Sequence, residues 1–172
     1  MELVDVLDSN GNKLNELVDK DKAHKEGIYH PVVHVVVLSK DKKRILLQKR
    51  CGQKKVCPNM WDVAAAGHIS SGENSIEAVQ REFEEELGLD SREYDFQKIG
   101  YFREKYDDRD YIIREYVYLY LIVEDINIKD IIIQKEEVSE VKWITKEQFK
   151  NAIESQKIIY HEYYNIINNL MR

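Results

Sequence analysis

The sequence predicts a single α/β domain, in which strands and amphipathic helices share one core. A valine-rich run from 30 to 38 has few polar positions on either face, which is typical of a strand covered on both sides. Between 75 and 87, apolar residues recur at helical spacing and form one stripe: Ile76, Val79, Phe83 and Leu87. With 172 residues, 43% of them hydrophobic, the chain is long enough to bury a substantial core.

Composition and charge argue against several classes of protein. The net charge of -6 argues against general nucleic-acid binding, which favours basic surfaces. No run approaches the roughly 18 apolar residues of a membrane span, and the first five residues do not resemble a signal peptide. Cys51 and Cys57 have neither the spacing of a zinc site nor the number that a disulfide framework needs. We expect reduced thiols in a cytoplasmic protein that binds neither nucleic acid nor membranes.

The N-terminal part of the chain is predicted to form a β-hairpin over residues 1–18. Two weakly alternating stretches flank the turn signal Ser9–Asn12. A charged segment from Asp19 to Glu26 follows; it contains His24 and shows no linker or domain boundary.

A return strand over 44–49 is predicted to follow the valine-rich strand. A short strand over 61–66 then leads into Gly67. The loop between these two strands is basic, and its position just before the acidic helix makes its side chains candidates to receive phosphates: Lys49, Arg50, Lys54 and Lys55.

The last half of the chain is predicted to contain three strands and two helices, over 94–103, 111–123, 138–144, 145–155 and 156–170. Residues 107–110 form the predicted hairpin tip. The cluster of Tyr160, Tyr163 and Tyr164 indicates a packing surface or a homodimer face, and His161 is interpreted as a surface or packing histidine.

Glu115 interrupts an otherwise apolar face of the strand over 111–123, because side chains alternate with period two. A carboxylate buried there without a partner costs several kcal/mol. We therefore expect Glu115 either to lie in solvent at a strand end or to face a cation.

The acidic residues of the 75–87 helix are unevenly distributed. At roughly 100° per residue, Glu82, Glu85 and Glu86 fall within an arc of about 100° that borders the apolar stripe. Divalent magnesium or manganese would offset their repulsion, because hard cations bind carboxylate oxygens and bridge to phosphates. The alternative is a solvated acidic face, as on most glutamate-rich helices.

The stretch from Gly67 to Leu89 resembles the Nudix box, which places glycines, an Arg-Glu pair and a Glu-Glu pair at fixed spacing. The matching positions are Gly67, Glu73, Arg81, Glu82, Phe83, Glu85, Glu86, Gly88 and Leu89. Phe83 departs mildly, being aromatic where an aliphatic residue is usual. The resemblance implies an α/β/α sandwich with a mixed sheet, the box helix on one side and the C-terminal helix on the other.

Outside the box, the chain resembles the Nudix branch that includes isopentenyl diphosphate isomerase and its hydrolase relatives, in segments 23–30, 46–50 and 58–68. Isomerases hold a metal with three histidines and two glutamates; the matching residues are His24, His30, His68 and Glu115, with Ile113 in place of the second glutamate. Ala66 stands where isomerases need a catalytic cysteine, and isomerisation requires two opposed proton-transfer groups. An intact box without that cysteine favours hydrolysis.

The resemblance therefore implies a metal-dependent hydrolase that cleaves a nucleoside diphosphate linked to a group X. Magnesium or manganese would be held by Glu82, Glu85 and Glu86, and the candidate bases are Glu85, Glu86 and Glu115. Arg81 would orient the glutamates, and Glu73 would partner Arg81 or bind metal. The basic loop and Gly67 would contact the substrate. The alternatives are an isomerase and a nucleotide-sensing module without catalysis.

Overall fold

A computed structural model describes residues 1–172 of the chain. Its nine strands are β1 (Leu3–Leu7), β2 (Lys13–Asp19), β3 (His30–Leu38), β4 (Arg44–Arg50), β5 (Trp61–Val63), β6 (Ala65–His68), β7 (Gln97–Asp108), β8 (Tyr111–Val123) and β9 (Val138–Thr145). Its four α-helices are α1 (Lys20–Glu26), α2 (Ser75–Leu87), α3 (Lys146–Glu154) and α4 (Tyr164–Leu170). None of the helices has the length and apolar character needed to cross a membrane.

The strands form an N-terminal hairpin and one mixed sheet. β1 and β2 pair with each other, as predicted, while the main sheet has the order β5-β4-β3-β8-β7. β3 and β8 are parallel, and the other pairs are antiparallel. β3 meets β4 only at Val37 and Leu38, and β6 replaces β4 beside Val32–Val35. One edge of β3 therefore has two neighbours, β6 near its start and β4 near its end. The cavity of the candidate site lies beside this change of neighbour.

The central strand β3 is buried on both faces, which confirms the sandwich. Val33, Val35 and Val37 pack with Phe83 and other residues of α2. Val32 and Val36 face the opposite side, where the core includes Phe149 of α3 and Tyr163, Tyr164 and Ile167 around α4. Because strand side chains alternate, a single strand contributes to both layers of the core.

Helix α2 begins and ends at the predicted residues. Asn74 and Glu77 form both hydrogen bonds of the capping box, and Gly88 takes the left-handed conformation at the C-terminal cap. Ile76 of the predicted stripe is 38% exposed, whereas Val79, Phe83 and Leu87 are fully buried. The first turn of α2 therefore extends beyond the edge of the core.

Replacing Gly88 by alanine should lower the free energy of unfolding by about 2 kcal/mol or more. Gly88 has φ +66°, and a Cβ there would lie 2.7 Å from the carbonyl oxygen of Ile132. Gly72 also has positive φ, +84°, but its Cβ would meet nothing within 4 Å, so Gly72→Ala is the matched control and should cost about 1 kcal/mol. Urea denaturation measures both; equal losses would show that the contact with Ile132 has no effect.

Two predicted strands differ from the structure, and a third segment had no predicted element. The charged segment after the hairpin forms α1, capped by Asp19 and Gly27. The predicted strand over 61–66 is two strands, β5 and β6. The predicted strand over 94–103 lies later in the chain, so residues 107 and 108 are paired and the turn is confined to Arg109 and Asp110. The capping residues of α1 were the signal available in the sequence.

The terminal helix is shorter than predicted. Residues 156–163 are not helical, because Gln156 takes a positive φ and the backbone of Lys157 and Ile159 bonds to Trp61 of β5. These bonds compete with the helical pattern for the same backbone groups. Tyr163 and Tyr164 are buried in the core and pack inside the domain, whereas Tyr160 of the same cluster is 52% exposed.

Candidate active site

A cavity of about 370 Å³ lies beside the change of neighbour along β3 and collects most of the residues predicted to act at the site. They are His24, Arg50, Lys54, Gly67, His68, Arg81, Glu82, Glu85, Glu86 and Glu115. Of its 23 lining residues, five are hydrophobic. A lining this polar suits a charged ligand better than an apolar one.

Arg81 connects the carboxylates at the rim of the cavity. Its Nε and Nη2 donate to the two oxygens of Glu73, at 2.8 and 2.9 Å. Its Nη1 donates to Glu82 at 2.6 Å and lies 3.4 Å from Glu85, and its Nη2 also donates to the carbonyl oxygen of His68 at 3.0 Å. These contacts raise the pKa of Arg81, with the Glu73 bond the main cause. This geometry supports Arg81 as the residue that orients the glutamates, and Glu73 as its partner.

The carboxylates of Glu82 and Glu86 lie where they have little access to water. Burial, together with the charge of Glu82, raises the pKa of Glu86 to about 8, although Glu86 accepts hydrogen bonds from Gln48 Nε2 and Ala66 N at 2.6 and 3.1 Å. Burial also raises the pKa of Glu82 to about 7, against the lowering effect of Arg81. A divalent cation would offset both the desolvation and the repulsion, so these residues fit a metal.

The approach of Glu82 to β6 explains why residue 67 is glycine. A Cβ at Gly67 would lie 2.0 Å from Cδ of Glu82, a distance that no side chain could accept without displacing the carboxylate. Gly67 therefore allows α2 to bring Glu82 against the strand. Glu85 lies one turn further along the helix face and is half-exposed.

A second group of ligand atoms comes together from α1, β3, β6 and β8, and of its four residues His24, His68 and Glu115 line the same cavity while His30 lies fully buried behind it. His24 Nε2 lies 3.2 Å from each of Glu115 Oε1, His30 Nε2 and His68 Nε2, and all four atoms lie within 4.8 Å of one another. Around a metal with bonds of about 2.1 Å, neighbouring ligand atoms are roughly 3.0–3.4 Å apart. His30 Nδ1 bonds the carbonyl oxygen of Ile28 at 2.8 Å, which orients Nε2 towards the group. These residues also fit a metal.

Glu115 is therefore not at a solvated strand end. It is 9% exposed and faces His24 and His30. Burial holds the pKa of His68 well below its ordinary value, so that imidazole is neutral, the form that binds metals.

The basic loop supplies only part of what was predicted. Arg50 lines the cavity, and its Nε and Nη2 donate to the carbonyl oxygen of Val56 at 3.2 and 3.0 Å. Lys54 also lines the cavity and pairs with Glu137. Lys49 and Lys55 lie outside it, with Lys55 exposed and paired with Asp21. The structure thus brings two of the four basic side chains to the cavity.

The polar residues of the cavity that were not predicted to be functional include His34, Asp62 and His161. His161 is 2% exposed, so it is not a surface residue; its Nε2 bonds Asp62 Oδ1 at 2.8 Å and its Nδ1 lies 3.4 Å from Glu104 Oε2. Period two places His34 on the same face as His30, which was the one available signal. His161 and Asp62 are 99 residues apart, and no local pattern connects them.

Comparisons with known proteins find sequence relatives of this chain and a solved structure with a similar fold. A family model described as NUDIX domain matches residues 28–163. Nudix hydrolase lmo0368 of Listeria monocytogenes is 31% identical over 172 residues, covering 99% of this chain and 95% of that protein. Nudix hydrolase 3 of Arabidopsis thaliana is 36% identical over 163 residues; the match covers 92% of this chain but only 21% of the longer plant protein. The crystal structure of DR0079 from Deinococcus radiodurans has a TM-score of 0.76 and 19% identity, covering 99% of this chain and 100% of that one.

Proposed function

We propose, since this chain belongs to the Nudix hydrolase family, that it hydrolyses the diphosphate bond of a nucleoside diphosphate linked to a group X, or of a related organic diphosphate. The observation that carries the proposal is that Glu82, Glu85 and Glu86 line one polar cavity, with Arg81 in contact with the first two. We also propose a cytoplasmic setting, in which thiols such as those of Cys51 and Cys57 stay reduced.

Two groups of side chains would hold divalent metal. Glu82, Glu85 and Glu86 offer hard carboxylate oxygens, which suit magnesium or manganese. His24, His30, His68 and Glu115 offer mainly imidazole nitrogen, which suits manganese or zinc better than magnesium. Bound cation would neutralise the diphosphate and polarise the attacked phosphorus.

The side chains of the chain itself supply the remaining chemistry. Lys54 and Arg50 face the cavity and would receive phosphate oxygens. Arg81 holds Glu73, Glu82 and Glu85 in fixed positions, so the rim does not have to reorganise when substrate arrives. A carboxylate would accept a proton from the attacking water, and three candidates line the cavity: Glu85, Glu86 and Glu115.

A substrate screen in water enriched in ¹⁸O tests the proposal. Nucleoside diphosphate derivatives and prenyl diphosphates are incubated with the protein and magnesium or manganese, and the products are identified by mass spectrometry. We expect hydrolysis of at least one nucleoside diphosphate derivative, with one ¹⁸O atom incorporated into a phosphate product. Tight binding without any product, at every metal and pH, would instead identify a sensing module.

An isomerase is the second candidate, and the convergence of His24, His30, His68 and Glu115 is the observation that favours it. Against it, Ala66 carries no proton-transfer group. Incubation with isopentenyl diphosphate and magnesium in heavy water distinguishes the two activities. Deuterium in a dimethylallyl diphosphate product would establish isomerisation; no incorporation is expected.

We call His24, His30, His68 and Glu115 the histidine group. Replacing His24 by alanine should lower the affinity of this group for manganese by about 100-fold or more. His24 is the central member, at 3.2 Å from each of the other three ligand atoms. Calorimetric titration of the metal-free protein measures this loss without any substrate. Lys25→Ala, on the same helix but outside the cavity, is the control, and equal manganese affinity in the two variants would contradict the assignment.

A further inference from the structure

The cavity continues beyond the histidine group to a second set of buried polar residues. His30 and His34 lie on the same face of β3, with Val32 between them. At about 3.3 Å per residue, their Cα atoms are roughly 13 Å apart. Asp62 and Arg50 line the same cavity, and His161, which bonds Asp62, has its ring centroid 4.7 Å from that of His34. A substrate held at the metal ligands can therefore extend towards this end.

The two carboxylate oxygens of Asp62 differ: Oδ1 accepts hydrogen bonds from the protein, and Oδ2 accepts none. Oδ1 accepts hydrogen bonds from the backbone N–H of Val63 and from His161, both at 2.8 Å. No protein group donates to Oδ2, whose closest cation is Arg50 Nη1 at 3.9 Å. The Asp62 side chain is 5% exposed, so it is a buried carboxylate with unused capacity to accept hydrogen bonds.

Arg50 and His34 also present unused atoms. Arg50 donates from Nε and Nη2 to Val56, which leaves Nη1 without an acceptor at hydrogen-bond distance. His34 is 5% exposed; its Nδ1 bonds the hydroxyl of Tyr163 at 2.7 Å, while its Nε2 bonds no protein group. Polar atoms of buried residues are normally satisfied, so the unused atoms of Asp62 and His34, two buried residues that line one cavity, indicate a ligand there, with the partly buried Arg50 beside them.

We propose that Asp62, Arg50 and His34 form the subsite for the group X, and that this group bears hydroxyls, as a sugar does. A hydroxyl donates to Asp62 Oδ2 and accepts from Arg50 Nη1 at the same time. A hydrocarbon chain would leave the buried carboxylate unsatisfied, and an ammonium group would meet Arg50. The inference rests on the proposed hydrolysis, because it assigns the group attached to the diphosphate.

Two diphosphates that share a six-membered ring but differ in its hydroxyl content test the subsite. Glucosyl 1-diphosphate and cyclohexyl diphosphate share a six-membered ring of similar size. We measure kcat/KM for the wild-type protein with magnesium, and the dissociation constants by calorimetry with the Glu86→Gln variant. A preference of about 100-fold for the glucosyl compound is expected, because a site built to hydrogen-bond a hydroxyl rejects an analogue that lacks it.

Asp62→Asn and His34→Phe should each reduce this preference to below about 10-fold, whereas Asp130→Asn, an exposed control, should retain it. His34→Phe keeps the test usable if Asp62→Asn does not fold. Equal cleavage of the two compounds by the wild-type protein would overturn the subsite and leave the hydrolase intact. Preferential binding of the glucosyl compound without cleavage of either would support the subsite, and the hydrolase would then stand or fall by the screen of nucleoside diphosphate derivatives. A preference that both folded variants retain would also overturn the subsite.

Discussion

Glu86→Gln should lower metal-dependent turnover by roughly 100- to 1,000-fold while leaving the fold unchanged. The substitution keeps the size of the side chain and an oxygen that can accept from Gln48 and Ala66, but it removes the charge that the cation would neutralise. Since burial already disfavours the ionised form of Glu86, a neutral replacement should be tolerated structurally. Initial rates over a range of magnesium concentrations measure the loss, and the melting temperature reports on the fold.

Glu84→Gln is the matched control for this experiment. Glu84 lies on the same helix, but it accepts hydrogen bonds from Ser91 at the helix end and does not line the cavity. Its replacement should leave turnover within about twofold, as expected for a surface position. Near-normal turnover in Glu86→Gln would refute the assignment of the acidic helix as the metal site.

His161→Leu should lower the free energy of unfolding by about 3–5 kcal/mol, the largest stability effect expected in this chain. The histidine lies between Asp62 and Glu104, and both carboxylates are buried. Leucine has similar volume, so the loss comes from leaving two buried negative charges without their cation. Urea denaturation measures it, with Tyr160→Leu as the control, because the neighbouring Tyr160 is 52% exposed.

A second substitution distinguishes this charge effect from a packing effect. Glu104→Gln should destabilise the wild-type protein, where it removes a partner of His161. In the His161→Leu background, the same change should stabilise the protein, because it removes an uncompensated charge. The same sign in both backgrounds would show that the ion pairs are not responsible.

The pH dependence of stability provides an independent check on His161. Burial alone would lower the pKa of His161, but the attraction of Asp62 and its hydrogen bond raise it from 6.5 to about 10. Its contribution is therefore fully present below pH 6.5 and is lost as the pH rises through about 10. The stability difference between wild type and His161→Leu should shrink over this range; a constant difference would contradict the raised pKa.

Local rules explain why the stretch from Gly67 to Leu89 could be predicted from the sequence. Asn74, Glu77 and Gly88 act within a few residues of themselves, as caps, and helical spacing alone places Glu82, Glu85 and Glu86 on adjoining faces. The core face of β8 and the buried strand β3 follow from the period of two in the same way. These features depend on residues that are close in the sequence, so they can be predicted without knowing how the helices and strands pack.

The sequence by itself thus determined the fold class, the acidic helix and the resemblance that identifies its chemistry. Only the tertiary structure decided that Glu115 meets His24, 91 residues away, and that the segment before α4 leaves the helical path to bond with Trp61. It also placed His161 beside Asp62. The physical reason is that periodicity and capping energies are local, whereas the pairing of buried charges depends on which strands and loops the sheet brings together.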